Sequence, residues 1–310
     1  SQEQSNATSY DATALAIITF EVFTGMWINA FIVSVFCMAW FKKKTLNSNE
    51  KIILVLGCCR FLYLGISWVY SLFLKIYLKF LYVHPIFQLL SVTQKFLDFY
   101  DVCVSACLCA FYCIKIANFR NSFFIYLKAK IDRMVPWLLL GSVLCSLVIG
   151  ILAYIIAEKP HCNNSTDQGN FWEVKVKTDE QFFPIYFIIG FVFVTSFSVV
   201  IFSALLLLFS LWRHKCNMQT NSMKDLSMDA HIRAMKSIVS FFVMYNFNFI
   251  SLIVTMTYST QGESPTSFLL YVILFAFPGV HSLILIFSNS KLENTLLRIL
   301  PCVKCKLCMK

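Results

Sequence analysis

The chain has 310 residues, 58% of them hydrophobic and 14% charged, with a mean hydropathy of +0.70. A soluble domain spreads charge along every helix to keep its surface wetted, so this composition excludes one and requires lipid as solvent. The net charge of +10 does not indicate nucleic acid, because Lys and Arg gather between apolar runs instead of along one helix face.

Residues 1–12 are polar and lack a basic segment ahead of a short apolar core, so no cleavable signal peptide is expected. The first apolar run should then serve as a signal anchor, and numbering from Ser1 without Met leaves room for a trimmed start. A run of about 18 apolar residues crosses the hydrocarbon layer as a helix, and helices are required because each backbone polar group must be satisfied within its span. Seven runs qualify, at 14–41, 52–76, 86–116, 135–157, 182–212, 232–258 and 267–287.

Positive residues stay in the cytosol, and their division here is lopsided. The loops after spans one, three and five and the tail hold 19 Lys and Arg, against six in the segments on the other side. The glycosylation sequons at Asn6, Asn163 and Asn164 all fall on that second side, where the modifying enzyme works. The expected fold is an all-α seven-transmembrane helix bundle with its N-terminus outside and C-terminus inside. Cys occurs 13 times without the spacing of a disulfide framework, mostly inside apolar runs, and Cys162 is the one Cys clearly in an outer loop.

Four motifs fall in order at the ends of spans. Span three closes with Phe111-Tyr112-Cys113-Ile114-Lys115, and span five closes with Leu206-Leu207-Leu208-Phe209-Ser210-Leu211-Trp212-Arg213-His214. Asp229-Ala230-His231, then Lys236 and Tyr245, enter span six, and His281-Ser282-Leu283-Ile284-Leu285-Ile286 ends span seven ahead of Asn289 and Lys291-Leu292. Together with Asn29 in span one and Arg60 in span two, this set resembles the type 2 bitter taste receptors. Departures from that pattern are Cys103 for a Trp in span three, and Ser196 and Ser290 for prolines, which mark a divergent member. The Asp/Glu-Arg-Tyr, Cys-Trp-x-Pro and Asn-Pro-x-x-Tyr signatures of rhodopsin-like receptors are missing from the expected places.

The resemblance implies a G-protein-coupled chemoreceptor for small organic bitter agonists. It implies an extracellular N-terminus at 1–13, a receptor domain at 14–287 and a cytoplasmic helix and tail at 288–310. Its partners would be a heterotrimeric G protein of the inhibitory or gustducin-like class and membrane lipids, sterol among them, with no cofactor, metal or catalytic residue. A vomeronasal-type chemoreceptor is the nearest alternative; a transporter or channel is disfavoured because no inverted repeat is visible.

Ionisable side chains at membrane depth are costly and face the bundle interior or water. Gln94, Asp98, Asp101 and Ser105 recur at helical spacing, so one face of span three carries them toward a hydrated cavity. Asp98 is the candidate counter-ion for an agonist, although Lys95, three residues earlier, can neutralise it; Asp101 is read as structural. Tyr70, Ser71, Asn248 and Tyr271 share this outer depth, and family position adds Ile188, Val192 and Phe249 as apolar wall. Arg60 lacks an acid partner on its own helix and should bond to Asn29, to carbonyls or near Ser282. His281 is read as a packing residue and Tyr245 as the toggle between pocket and inner face. Tyr112, Lys115, His214, His231 and Lys236 are the candidate G-protein contacts. Cys302, Cys305 and Cys308 suit lipidation better than zinc, because no fourth ligand is evident.

Overall fold

A computed structural model of the chain describes residues 2–76, 84–116, 122–158, 191, 194–195, 197–210, 212, 239, 242–243, 245–247, 250 and 265–308. Among these the secondary structure is helical. The long helices are Gln2–Lys43, Ser48–Ile76, His84–Ile116, Ser122–Glu158 and Pro265–Ser288, with Ser290–Cys308 following. Four of them are long and apolar enough to cross a membrane, and Val272–Ser288 joins them when it and the helix after its bend are taken as one span. Span five is described chiefly through Phe197–Ser210, and span six through scattered helical residues between 239 and 250.

Two helices begin well before the apolar runs they carry. The first starts at Gln2 instead of near residue 14, because no Gly or Pro interrupts the chain before Gly25. The fourth starts at Ser122 instead of 135, so Lys128, Lys130 and Arg133 stand on helix where a loop was expected. Pro136 inside that helix removes the donor that would have bonded the Asp132 carbonyl. The Ser48 hydroxyl, at the start of span two, donates to that carbonyl at 3.5 Å.

The turn between spans one and two is set by local chemistry. Lys44 takes a left-handed φ of 54° and its N–H bonds the Trp40 carbonyl at 2.7 Å, which ends the first helix. Asn47 then opens the second helix, and Glu50, three residues on, accepts the Asn47 N–H at 3.2 Å as in a capping box. At the other end, Asn289 accepts the N–H groups of Lys291 and Leu292 at 3.0 and 3.4 Å, starting a new helix bent 96° from span seven.

Span three packs on span four and span two, and span one on spans two and seven. The inner half of the bundle is a buried cluster that includes Ile32, Phe36, Ile53, Leu56, Leu108, Phe111, Ile131 and Leu292. Trp27, Phe41 and Trp137 are about three-quarters exposed, as expected of side chains that meet lipid tails. Since lipid is as apolar as Leu, close backbone approach must hold helices together, and Gly25 meets Gly279 at the crossing of spans one and seven. A Cβ on Gly279 would lie 3.2 Å from Gly25 Cα, whereas one on Gly141 would meet nothing within 4 Å. Gly279→Leu should therefore destabilise the bundle by about 1–3 kcal/mol of overpacking, while Gly141→Leu leaves the melting temperature in nanodiscs unchanged. Equal melting of the two variants would refute this crossing.

Candidate functional site

Four of the described helices meet around one guanidinium. Arg60 is fully buried at mid-span and sits in the middle of a polar cluster otherwise walled by hydrocarbon. Its Nε donates to Asp101 Oδ1 of span three at 2.7 Å, forming a buried ion pair. Nη1 donates to Ser282 Oγ of span seven at 3.0 Å, and Nη2 donates to Ser105 Oγ at 3.3 Å and contacts His281 Nδ1. An arginine donates and never accepts, so His281 is neutral here with its proton on Nε2. Ser282 passes the chain on by donating to Asn29 Oδ1 at 2.7 Å, and Asn29 Nδ2 donates to its own helix at the Gly25 carbonyl, 2.8 Å away.

The reading of Arg60 is thus corrected in one respect. Its acid partner is Asp101, on a different helix, and Asn29 is reached only through Ser282. Asp101 has the structural role expected of it, and His281 is a buried, bonded packing residue whose ring lies 5.7 Å from that of Phe277. Tyr245 of span six is buried, stacked on Phe197 of span five at 5.8 Å and edge-on to Phe277 of span seven at 6.3 Å. Its ring therefore bridges spans five and seven.

One helical turn outward of Asp101, Asp98 is half-buried. Lys95 is exposed, and among the described residues no ion pair joins it to Asp98. Gln94, Tyr70 and Ser71 are likewise half-buried, at the same end of spans two and three. At the inner end, Lys115 Nζ bonds Asp132 Oδ2 at 2.6 Å and lies 6.0 Å from the Phe111 ring centre. Tyr112 is half-buried in contact with Asn49.

With this geometry in hand, the chain was compared with known proteins. Residues 7–304 match the family described as Taste receptor protein (TAS2R). Taste receptor type 2 member 2 of Homo sapiens is 31% identical over 94% of this chain and 97% of its own length. Member 7 of Macaca mulatta is 31% identical over 92% and 91%, and member 114 of Mus musculus is 30% identical over 95% of each. The chain belongs to the taste receptor (TAS2R) family. It is a multi-pass receptor of the plasma membrane and not an enzyme. The vomeronasal-type and transporter alternatives give way to this match.

In this taste receptor several expected site residues lie outside the described residues: Ile188, Val192, Asn248 and Phe249 of the outer pocket, His214, His231 and Lys236 of the inner face, and Asn163 and Asn164. Asn6 and Tyr271 lie on described helices without a described side chain, as do Cys302, Cys305 and Cys308.

The sequence reading passed over Glu21, Glu50 and Asp132. Glu21 is half-buried in span one, a turn outward of Gly25, and its Oε2 is buried. A lone acid inside the first apolar run was the signal for it. Glu50 Oε1 binds Lys291 Nζ at 2.5 Å, and Lys291 stands 5.3 Å over the Phe36 ring, pinning the last helix to the first inner turn.

Arg60→Ala should cost about 3–5 kcal/mol, because it strands Asp101 uncompensated in the bundle. The paired replacement Arg60→Met with Asp101→Leu should cost far less. Thermal unfolding of purified receptor in nanodiscs distinguishes the two, and similar losses for both would show that the pair does not act as a unit.

Proposed function

We propose that this taste receptor is a seven-span, N-out and C-in bitter chemoreceptor that binds small organic agonists in its outer half and activates a heterotrimeric G protein at its basic inner face. The positive residues inside and the sequons outside support the orientation, and the helices of spans one to four and seven suit seven crossings once spans five and six are added. The domain division at 13 and 287 follows from the same reading, with the tail helix lying along the inner surface.

The observation that carries the binding site is Asp98, a half-buried carboxylate without an ion pair among the described residues, standing directly over a cluster whose charges already cancel. A carboxylate at that depth in a pocket otherwise lined by Tyr70, Ser71 and Gln94 suits agonists that pair a cationic or strongly donating group with an apolar body. Ile188, Val192, Asn248, Phe249 and Tyr271 complete the wall in this reading, with Lys95 at its rim. An agonist acts by binding better to the conformation whose inner face is open. Tyr245 is placed to relay that preference, since its ring packs between spans five and seven.

At the inner face the G protein of the inhibitory or gustducin-like class would meet Tyr112, Lys115, His214, His231 and Lys236. Lys115 and Asp132 are 44% and 51% exposed, so their bond contributes about 1 kcal/mol at most, and an incoming carboxylate can displace Asp132. Anionic lipid and sterol are the remaining partners at this surface.

Asp98→Asn should weaken the potency of cationic agonists about tenfold, the value of one charge-assisted contact, and leave neutral agonists unchanged. Identical dose-response curves for both classes in cells bearing equal surface receptor would end the counter-ion reading. Lys115→Ala should lower agonist-stimulated nucleotide exchange on the G protein at unchanged agonist affinity, and full exchange would remove Lys115 from the coupling face.

A further inference from the structure

The two acids of span three stand three residues apart on one face, about 4.5 Å along the helix axis, yet among the described residues only Asp101 holds an ion pair. Arg60 bonds the inner of the two, and the outer stands one turn away on the same helix face. What decides is the direction of its bonds. Nε is taken by Asp101 and Nη2 by Ser105, while Nη1 reaches across to Ser282 of span seven and Nη2 also contacts His281. Ser105 is a full turn inward of Asp101 on the same helix. The guanidinium is therefore held facing away from Asp98. Lys95, the other cation near Asp98, is exposed and forms no ion pair with it.

We propose that Asp101 is a specificity-determining residue: by holding Arg60 on its own carboxylate, it keeps that guanidinium from neutralising Asp98 and so reserves Asp98 for a cationic group of the agonist. The inference rests on the reading of Asp98 as counter-ion and adds the reason that this acid is free to serve. Without Asp101, Arg60 has no ion-pair partner among the described residues. Asp98 stands about 4.5 Å further along the same helix face, a shift that an arginine stem can span, and an unpaired guanidinium in a bundle core is costly enough to drive it. The receptor would then carry an internal cation where the agonist's should sit. Asp101 does not touch the agonist; it acts through Arg60 as a positioning residue.

The test uses full-length receptor at measured surface density, with aryl trimethylammonium probes and their uncharged tert-butyl isosteres, and reads the ratio of potencies within each pair. Asp98→Asn serves as the reference and should abolish the preference for the cation. Asp101→Asn, which leaves Asp98 in place, should reduce the same preference about tenfold, equivalent to one charge contact, while responses to the neutral isosteres stay near wild type. Asp101→Asn combined with Ser105→Asp moves the acid one turn inward, onto a position that already bonds Nη2, and should restore the preference. A surface-expressed Asp101→Asn receptor with wild-type preference would overturn the proposal, as would failure of the relocated acid to restore it. Should Asp101→Asn alone be retained inside the cell, the relocated variant decides: a kept preference supports the proposal and a lost one refutes it. If Asp98→Asn itself leaves the preference intact, the counter-ion reading fails first and the proposal with it, a result distinct from failure at Asp101 alone.

Discussion

A guanidinium cannot be deprotonated and cannot be left bare in hydrocarbon, and that constraint organises the middle of this receptor. Arg60 satisfies it by drawing Asp101 and Ser105 from span three and His281 and Ser282 from span seven, with Asn29 of span one attached through Ser282. Helices in lipid gain little from apolar contact with one another, so a shared set of directional bonds fixes their register more firmly than packing alone. The Gly25–Gly279 approach and the Arg60 cluster lie within one turn of each other on span one, Gly25 and Asn29 being four residues apart. Close packing and polar bonding thus fix the same pair of helices.

From this central cluster the two functional ends of the receptor differ in kind. Outward, Asp98 stands one turn beyond the Arg60–Asp101 pair with no ion pair of its own among the described residues, and the aromatic contacts of Tyr245 with Phe197 and Phe277 tie spans five, six and seven together. Inward, the Lys115–Asp132 contact is exposed and exchangeable, while the part-buried Lys291–Glu50 pair holds the last helix in place. A receptor needs that asymmetry. A ligand site discriminates by a few well-placed polar groups, whereas a coupling face must release its own contacts when a partner arrives.

The first inner turn plays a larger part than its length suggests. Within four residues, Asn47 to Glu50, it caps its own helix, supplies the donor that Pro136 removed from span four, meets Tyr112 and holds the last helix through Lys291. Movement of any one inner helix would be felt at this turn.

Much of this was legible in the sequence because the bilayer imposes local rules. Span length, the row of Gln94, Asp98, Asp101 and Ser105 on one face, and the motifs of the taste receptor family can each be read from neighbouring residues, and the family match confirms the last of these. Capping signals at Asn47, Glu50 and Asn289 were equally local. What sequence could not supply is partner choice across helices. Arg60 and Asp101 are 41 residues apart, and nothing in either neighbourhood states that Arg60 meets Asp101 and not Asp98. That choice depends on the axial offset and rotation of spans two and three, which are set by their packing against spans one, four and seven. The sequence by itself determined that charges must be hidden within the bundle; only the tertiary structure decided which charge hides which, because helix register is a collective property of the bundle.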